Sequence, residues 1–423
     1  MKTRGVRLYG KSDLRLEEFE LPPIREDEIL ARVISDSICM STYKCAIQGE
    51  DHKRVPKNVA QNPTLMGHEF AGIIVEVGKK WQKDFHPGQK FSIQPALNYK
   101  GSMDSPGYSF PYVGGDATYV ILPHQVMELN CLLPFEGDSF YAASLSEPLS
   151  CVAGTFHTMY HSRRGVYTHE MGIRPGGNLA ILAGVGPMGL AAIEYVLNCD
   201  RRPGRMIVTD IDPARLARAE KYLSPAYARE RGVELRYLNT NSVADPEKEL
   251  TDFTSGHGFD DMLVFAPIPP VIEMGDRLLG EDGCLSFFAG PSDKTLSAKV
   301  NFYNIHYLGT HVMGTTGGNT DDMREVLKMM DDGVIDPALL VTHVGGLDAA
   351  AEATLHLPEI PGGKKLIYTG VSMPLTALED LPMLGRTDPF YAKLAELTAK
   401  TNGLWNPEAE KFLLDSLDHE EIK

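Results

Sequence analysis

Residues 177–197 read GNLAILAGVGPMGLAAIEYVL. A short apolar run meets a turn carrying Gly184, Gly186 and Gly189, and a helix-period pattern follows. The spacing is G-x-G-x-x-G. In such a turn the first glycine permits a tight bend, and the second lets the backbone approach a pyrophosphate. The third lets helix and strand pack closely, and the helix N-terminus faces the negative charge. Pro187 and Met188, between the last two glycines, belong to the same cofactor-binding set. A second strand-like run, RMIVTD, ends in Asp210, 21 residues after Gly189, close to the spacing of about 20 expected for an acid on the adenosine ribose. That carboxylate repels a 2′-phosphate and so favours NAD(H). Arg215 offsets part of the repulsion, so NADP(H) stays open. The plain alternative is a helix start without ligand and an Asp210 that caps a helix.

Outward from this turn the texture is α/β. DMLVFAP (261–267), GCLSFFAG (283–290) and HYLGTHVMG (306–314) are apolar runs bounded by Gly or Pro. Strands alternating with helices predict a doubly wound parallel sheet. Ala266 and Ala289, at the ends of two such runs, complete the expected cofactor set. NCDRRPGR and SPAYARERGVEL read as surface elaborations. DDMREVLKMMDDG, near residue 321, reads as an amphipathic helix stopped by Gly333, with Asn319 or Thr320 at its N-cap.

The first 150 residues read differently. EILARVIS, FAGIIVEVG and ATYVILP have strand length and strand composition, which predicts a β-rich domain. YKGSMDSPGYSFPYVGGD is loop chemistry. Beyond residue 371 the chain is a charged, helix-like tail.

Composition bounds the function. The 423 residues suggest two to four domains of ordinary size. Lys+Arg is 41 and Asp+Glu 57, a net charge of −16 with no basic run, which argues against nucleic-acid or anionic-membrane partners. No stretch approaches the roughly 20 apolar residues of a membrane span. The start has no apolar core of a signal peptide, and the six cysteines show no CxxC pair. The expected compartment is therefore a reducing cytoplasm.

The β-rich part carries a metal-ligand set. Cys39, then His68 and Glu69 in a GHE triplet, then Glu147 in SLSEPLSC, offer one thiolate, one imidazole and one or two carboxylates. Such a set suits a catalytic zinc that keeps a position open for water or substrate. Read singly, Cys39 is a buried thiol, His68 a core histidine, and Glu147 before Pro148 a loop carboxylate. Their coexistence with the cofactor turn raises the metal reading above these.

The order Cys, GHE, Glu-Pro-Leu and GxGxxG resembles the zinc-dependent medium-chain dehydrogenase/reductases, in particular their polyol branch. The resemblance implies a GroES-like catalytic zinc domain over 1–155 and 310–370. It implies a Rossmann domain over 156–309 and a C-terminal helical extension over 371–423. It makes Cys39 and His68 zinc ligands, with Glu69 and Glu147 sharing the remaining roles, one as ligand and one holding water. It also implies a homodimer or homotetramer. The family's usual segment after the cysteine is Gly-[Ser/Thr]-Asp-x-His; here it is Met40, Ser41, Thr42, Tyr43 and Lys44. Ser41 keeps the hydroxyl that starts a proton relay. Thr42 stands where an aspartate orients the histidine ligand, and Lys44 where a histidine passes protons. The four-cysteine structural zinc lobe is missing, with no Cys between Gly88 and Tyr119, so one zinc per chain is expected.

SICMSTYK, PALNYKGSMDSPGYSFPYVGGDATYVI and NIHYLGTHVMGTTGGNTDDMR are more specifically similar to bacterial L-sorbose-1-phosphate reductases. That likeness implies reduction of a sugar-phosphate ketone to D-glucitol 6-phosphate, with a nicotinamide as hydride donor. A sugar phosphate needs a cation or a nest of amides; Lys44 and Lys100 are candidates, and Tyr112 is a candidate pocket wall. The alternatives are a dehydrogenase of an unphosphorylated polyol such as sorbitol, and a dinucleotide-binding sensor that needs no stoichiometric zinc.

Overall fold

The computed structural model describes residues 1–417, which divide into two compact units. One holds residues 1–147 and 323–417, the other Pro148–Asp322. Both divisions fall inside helices, Phe140–Thr158 and Thr320–Asp331.

The second unit is built on a six-stranded parallel sheet. Its strands run in the order Glu234–Asn239, Arg205–Asp210, Asn178–Leu182, Phe259–Val264, Leu279–Phe287, His311–Met313. Numbered along the chain this is 3-2-1-4-5-6, the doubly wound dinucleotide-binding order. Asn178–Leu182 is central and buried beyond its first residue. The helix after it, Pro187–Asn198, starts on a proline, and every residue from Gly189 to Leu197 is buried. Pro213–Tyr222 is capped by Asp212, whose side chain accepts from the amides of Ala214 and Arg215.

Two sequence expectations change here. GVEL begins an edge strand of the sheet, Glu234–Asn239, rather than a surface elaboration. HYLGTHVMG is not one run: helix Phe302–Leu308 stops at Gly309, whose φ is 71°, and the strand follows. Asn319 is the cap of the next helix, accepting from the amides of Asp321 and Asp322.

The first unit is β-rich. Its eight-stranded sheet centres on Ile29–Ile38, ten consecutive buried residues. The β-branched Ile29, Val33, Ile34 and Ile38 suit a pleated surface packed on both faces. Phe70–Val77 and Lys364–Tyr368 flank it antiparallel. The chain beyond 371 is helical over Leu381–Leu384, Pro389–Ala399 and Pro407–Leu417. It belongs to this unit's core, where Leu394, Trp405 and Leu413 pack with Tyr141, Leu366 and Tyr368. Glu147 lies inside helix Phe140–Thr158, ahead of an internal Pro148, and not in a loop. No described helix is long and apolar enough to cross a membrane.

Candidate metal centre and dinucleotide turn

Strand register assembles the first site. Asp36 pairs with Phe70, so the next residues outward, Ser37 and Glu69, face each other, and the Ser37 amide donates to the Glu69 carbonyl at 3.1 Å. On the other side Lys365 pairs with Ile38, which brings Lys364 alongside Cys39. Three neighbouring strands thus deliver Cys39, Glu69 and Lys364 to one place. His68 arrives with Glu69 from the preceding loop. That loop passes Gly67 at φ 87°, where a Cβ would meet the Asp116 amide at 2.6 Å and Asp36 Oδ2 at 2.7 Å. Only glycine fits there.

One ligand atom each from Cys39, His68 and Glu69 lie within 4.8 Å of one another. His68 and Glu69 are buried; Cys39 and Glu147 are half-buried and mark the accessible side. The Thr42 hydroxyl lies 3.1 Å from His68 Nδ1, which leaves Nε2 for the cluster. Ser41 Oγ lies 3.1 Å from Cys39 Sγ and 3.2 Å from His68 Nε2, and the Tyr108 hydroxyl also stands 3.2 Å from Nε2.

The electrostatics suit a cation. Burial lowers the His68 pKa, so the imidazole is neutral and ready to ligate. Burial works against ionised Glu69, but the Lys364 ammonium, 2.5 Å from both carboxylate oxygens, and His68 and Ser37 outweigh it and hold the carboxyl below its usual range. Burial, with Glu69 and Cys39 close by, pushes Glu147 up to about 7. Burial also raises the Cys39 thiol, against the pull of Lys364. The donor chemistry of sulfur, neutral imidazole and ionised carboxylate fits a zinc ion with a fourth position open.

The remaining candidates sit on other segments of the first unit. Lys100 is exposed and stands over the Tyr99 ring at 4.9 Å. Tyr112 is 36% exposed. Lys44 is half-buried on helix Met40–Gln48. Lys364, Asp36 and Tyr108 carry contacts that sequence reading did not assign. Asp36 Oδ1 accepts from the Glu69 amide at 3.0 Å, and only strand pairing makes such roles visible.

In the second unit the glycine turn sits at the carboxyl end of its strand. A Cβ on Gly189 would stand 2.1 Å from the Gly184 carbonyl oxygen, and one on Gly184 would stand 2.3 Å from Ile181 Cγ2. A Cβ on Gly186 meets nothing within 4 Å. The first and third glycines thus serve packing, and the second faces open space that a pyrophosphate can fill. Pro187 and Met188 open the helix. Asp210 ends the neighbouring strand and accepts from the amides of Ile211, Asp212 and Val185 at 2.8, 3.1 and 3.4 Å. Arg215 pairs with Asp212 at 3.4 Å. The Ala289 amide donates to the Val264 carbonyl, and Ala266 follows the same strand, so both stand at the carboxyl edge.

Comparison with known proteins supplies the family. Residues 25–130 match the alcohol dehydrogenase GroES-like domain and residues 187–332 the zinc-binding dehydrogenase family. An L-sorbose 1-phosphate reductase of Klebsiella pneumoniae is 49% identical over 97% of this chain and 97% of its own length. The chain belongs to the zinc-binding medium-chain dehydrogenase/reductases. Another member of this family, a mannitol-1-phosphate 5-dehydrogenase of Aliivibrio fischeri, is 47% identical over 99% of this chain and 98% of its own. The crystal structure of 2R,3R-butanediol dehydrogenase from Bacillus subtilis shares the fold, with a TM-score of 0.69 at 21% identity, covering 86% of this dehydrogenase and 99% of that chain.

Proposed function

We propose that this dehydrogenase reduces the ketone of L-sorbose 1-phosphate to D-glucitol 6-phosphate, reversibly, with one zinc ion and NAD(H). The grouping of half-buried Cys39 with buried His68 and Glu69 within 4.8 Å carries the reading. The extent of the likeness to the Klebsiella reductase supports the substrate. When bound, zinc supplies Lewis acidity toward a carbonyl oxygen and the nicotinamide supplies the hydride.

The chain's own residues do the rest. Cys39, His68 and Glu69 hold the ion, and Lys364 keeps Glu69 ionised. Ser41, within 3.2 Å of two of these ligands, gives a proton to a substrate oxygen held beside them. Glu147, titrating near neutrality on the accessible side, takes up or returns a proton. Asp210 accepts from the ribose hydroxyls, and the amides of the glycine turn meet the pyrophosphate.

A second reading is favoured by the Aliivibrio relative, whose name places oxidation on carbon 5 of a 1-phosphate. The deciding experiment measures kcat/KM for L-sorbose 1-phosphate, D-mannitol 1-phosphate, free L-sorbose and sorbitol with NAD(H) and NADP(H), with zinc determined on the same sample. The expected result is one zinc per chain and the highest value for L-sorbose 1-phosphate with NADH. Higher efficiency on a free sugar, or full turnover by zinc-free His68→Ala, overturns the proposal.

A further inference from the structure

The metal centre has a cationic neighbour with no anion of its own. The Arg54 guanidinium carbon stands 5.5 Å from the Tyr108 ring centroid. That ring lies 4.8 Å from the His68 ring, and its hydroxyl reaches His68 Nε2 at 3.2 Å. Arg54 is half-buried. Its guanidinium donates to the Met103 carbonyl at 3.3 Å, and no described carboxylate pairs with it. In a chain of net charge −16 most arginines find an acid; Arg7, Arg15, Arg174 and Arg277 all do. A solvent-accessible guanidinium beside this group, with no described carboxylate on it, is a fork suited to a phosphate.

Its neighbours hold it in place without neutralising it. The backbone carbonyl of Arg54 accepts from Ser109 Oγ at 2.7 Å, and its amide donates to His52 Nδ1 at 3.3 Å. The His52 ring stacks on Tyr108 at 5.6 Å with planes 12° apart. Burial, with Arg54 and Lys53 nearby, pushes the His52 pKa down to about 4, so the charge beside Tyr108 at neutral pH is the arginine's.

We infer that Arg54 binds the substrate's phosphate and selects ketoses whose phosphate is on the carbon next to the carbonyl. The inference rests on the proposed reaction and deepens it. The two centroid separations, 5.5 and 4.8 Å, place the guanidinium no more than about 10 Å from the imidazole. With carbon–carbon bonds of about 1.5 Å, a phosphate on the adjacent carbon sits about 4 Å from the carbonyl oxygen. A guanidinium–phosphate pair spans about 4 Å more. The short spacing fits within that bound. A phosphate three carbons farther along reaches beyond that bound unless the sugar folds back. Of the two relatives' substrates, the 1-phosphate of a 2-ketose has the short spacing, and a 1-phosphate reacting at carbon 5 has the long one. Lys100, over Tyr99, has no described contact with the Tyr108–His68 group.

The test uses zinc-loaded wild type, Arg54→Gln and Arg54→Lys, with zinc content and thermal midpoint checked first. KM and kcat are measured for L-sorbose 1-phosphate and for free L-sorbose, and calorimetry follows binding of inorganic phosphate. Arg54→Gln is expected to raise KM for the phosphorylated ketose about tenfold or more, leave the free ketose unchanged and abolish phosphate binding. Arg54→Lys restores part of each. Unchanged KM for the phosphorylated ketose, or equal losses on both substrates, overturns the inference. If wild type turns over no ketose 1-phosphate, the proposed reaction fails. Phosphate binding then decides the arginine alone: equal affinity in wild type and Arg54→Gln overturns it, and loss in the variant upholds an anion site.

Discussion

At the proposed metal site a neutral hydroxyl, that of Thr42, stands where it can orient His68. Its hydroxyl lies 3.1 Å from His68 Nδ1. With Nδ1–H donating to that oxygen, Nε2 presents its lone pair to the group formed with Cys39 and Glu69. A neutral hydroxyl fixes the tautomer but polarises the ring less than a carboxylate does. Thr42→Val is therefore expected to weaken zinc binding about 10–100-fold, read by competition with a chromogenic chelator, while Thr42→Ser holds wild-type affinity. Equal affinity in Thr42→Val removes the hydroxyl from this role. The clustered side chains were legible in the sequence, because Cys39 and the GHE triplet are chemically distinctive and sit in motifs. Lys364 was not. It is one of two lysines before LIYTG, and only the register Lys365 opposite Ile38 shows which lysine meets Glu69. Arg54 lies in no motif, and its meaning depends on Tyr108, more than fifty residues away.

At the scale of elements, the strand–turn–helix of 178–198 carried its own signature, since glycine spacing reports backbone geometry directly. Gly189→Ala tests it. The new Cβ would stand 2.1 Å from the Gly184 carbonyl oxygen, so the turn must open. NADH affinity is expected to fall at least about 100-fold, followed by fluorescence of the bound cofactor, with zinc content unchanged. The C-terminal helices show the opposite case. Their helical period was readable, but their docking adds a buried acid to the apolar contacts. Glu410 accepts from the amides of Phe140 and Tyr141 at 2.7 and 2.8 Å and from the Tyr368 hydroxyl at 2.9 Å. Burial pushes its pKa up to about 7. The folded acid therefore holds its proton to higher pH than the unfolded one. Its contribution is complete below the ordinary carboxyl range, near 4.5, and is lost as pH rises through about 7. The thermal midpoint of wild type should fall between pH 5 and pH 8 by more than that of Glu410→Gln; parallel profiles would rule Glu410 out as the cause.

For the molecule as a whole, both tryptophans, Trp81 and Trp405, lie in the unit that holds the proposed metal ligands. Tryptophan fluorescence therefore reports unfolding of that unit. Its ligands sit at one end of a sheet whose centre is Ile29–Ile38, flanked by the strands that follow Glu69 and begin at Lys364. An ion held there binds the folded sheet and not the open chain, so it adds RT ln(1 + [L]/Kd) to stability, about 4 kcal/mol at a thousandfold excess over Kd. At roughly 2–4 °C per kcal/mol for a unit of this size, chelation should lower the fluorescence midpoint by about 10 °C. His68→Ala, already without the ion, should not respond to chelator. NADH should leave this shift in place, because the glycine turn belongs to the other unit, which has no tryptophan. A wild-type midpoint indifferent to chelation and to added zinc would mean that Cys39, His68 and Glu69 do not close on a metal. The Glu69–Lys364 pair would then be a structural ion pair, and the reaction proposed for the chain would lose its electrophile.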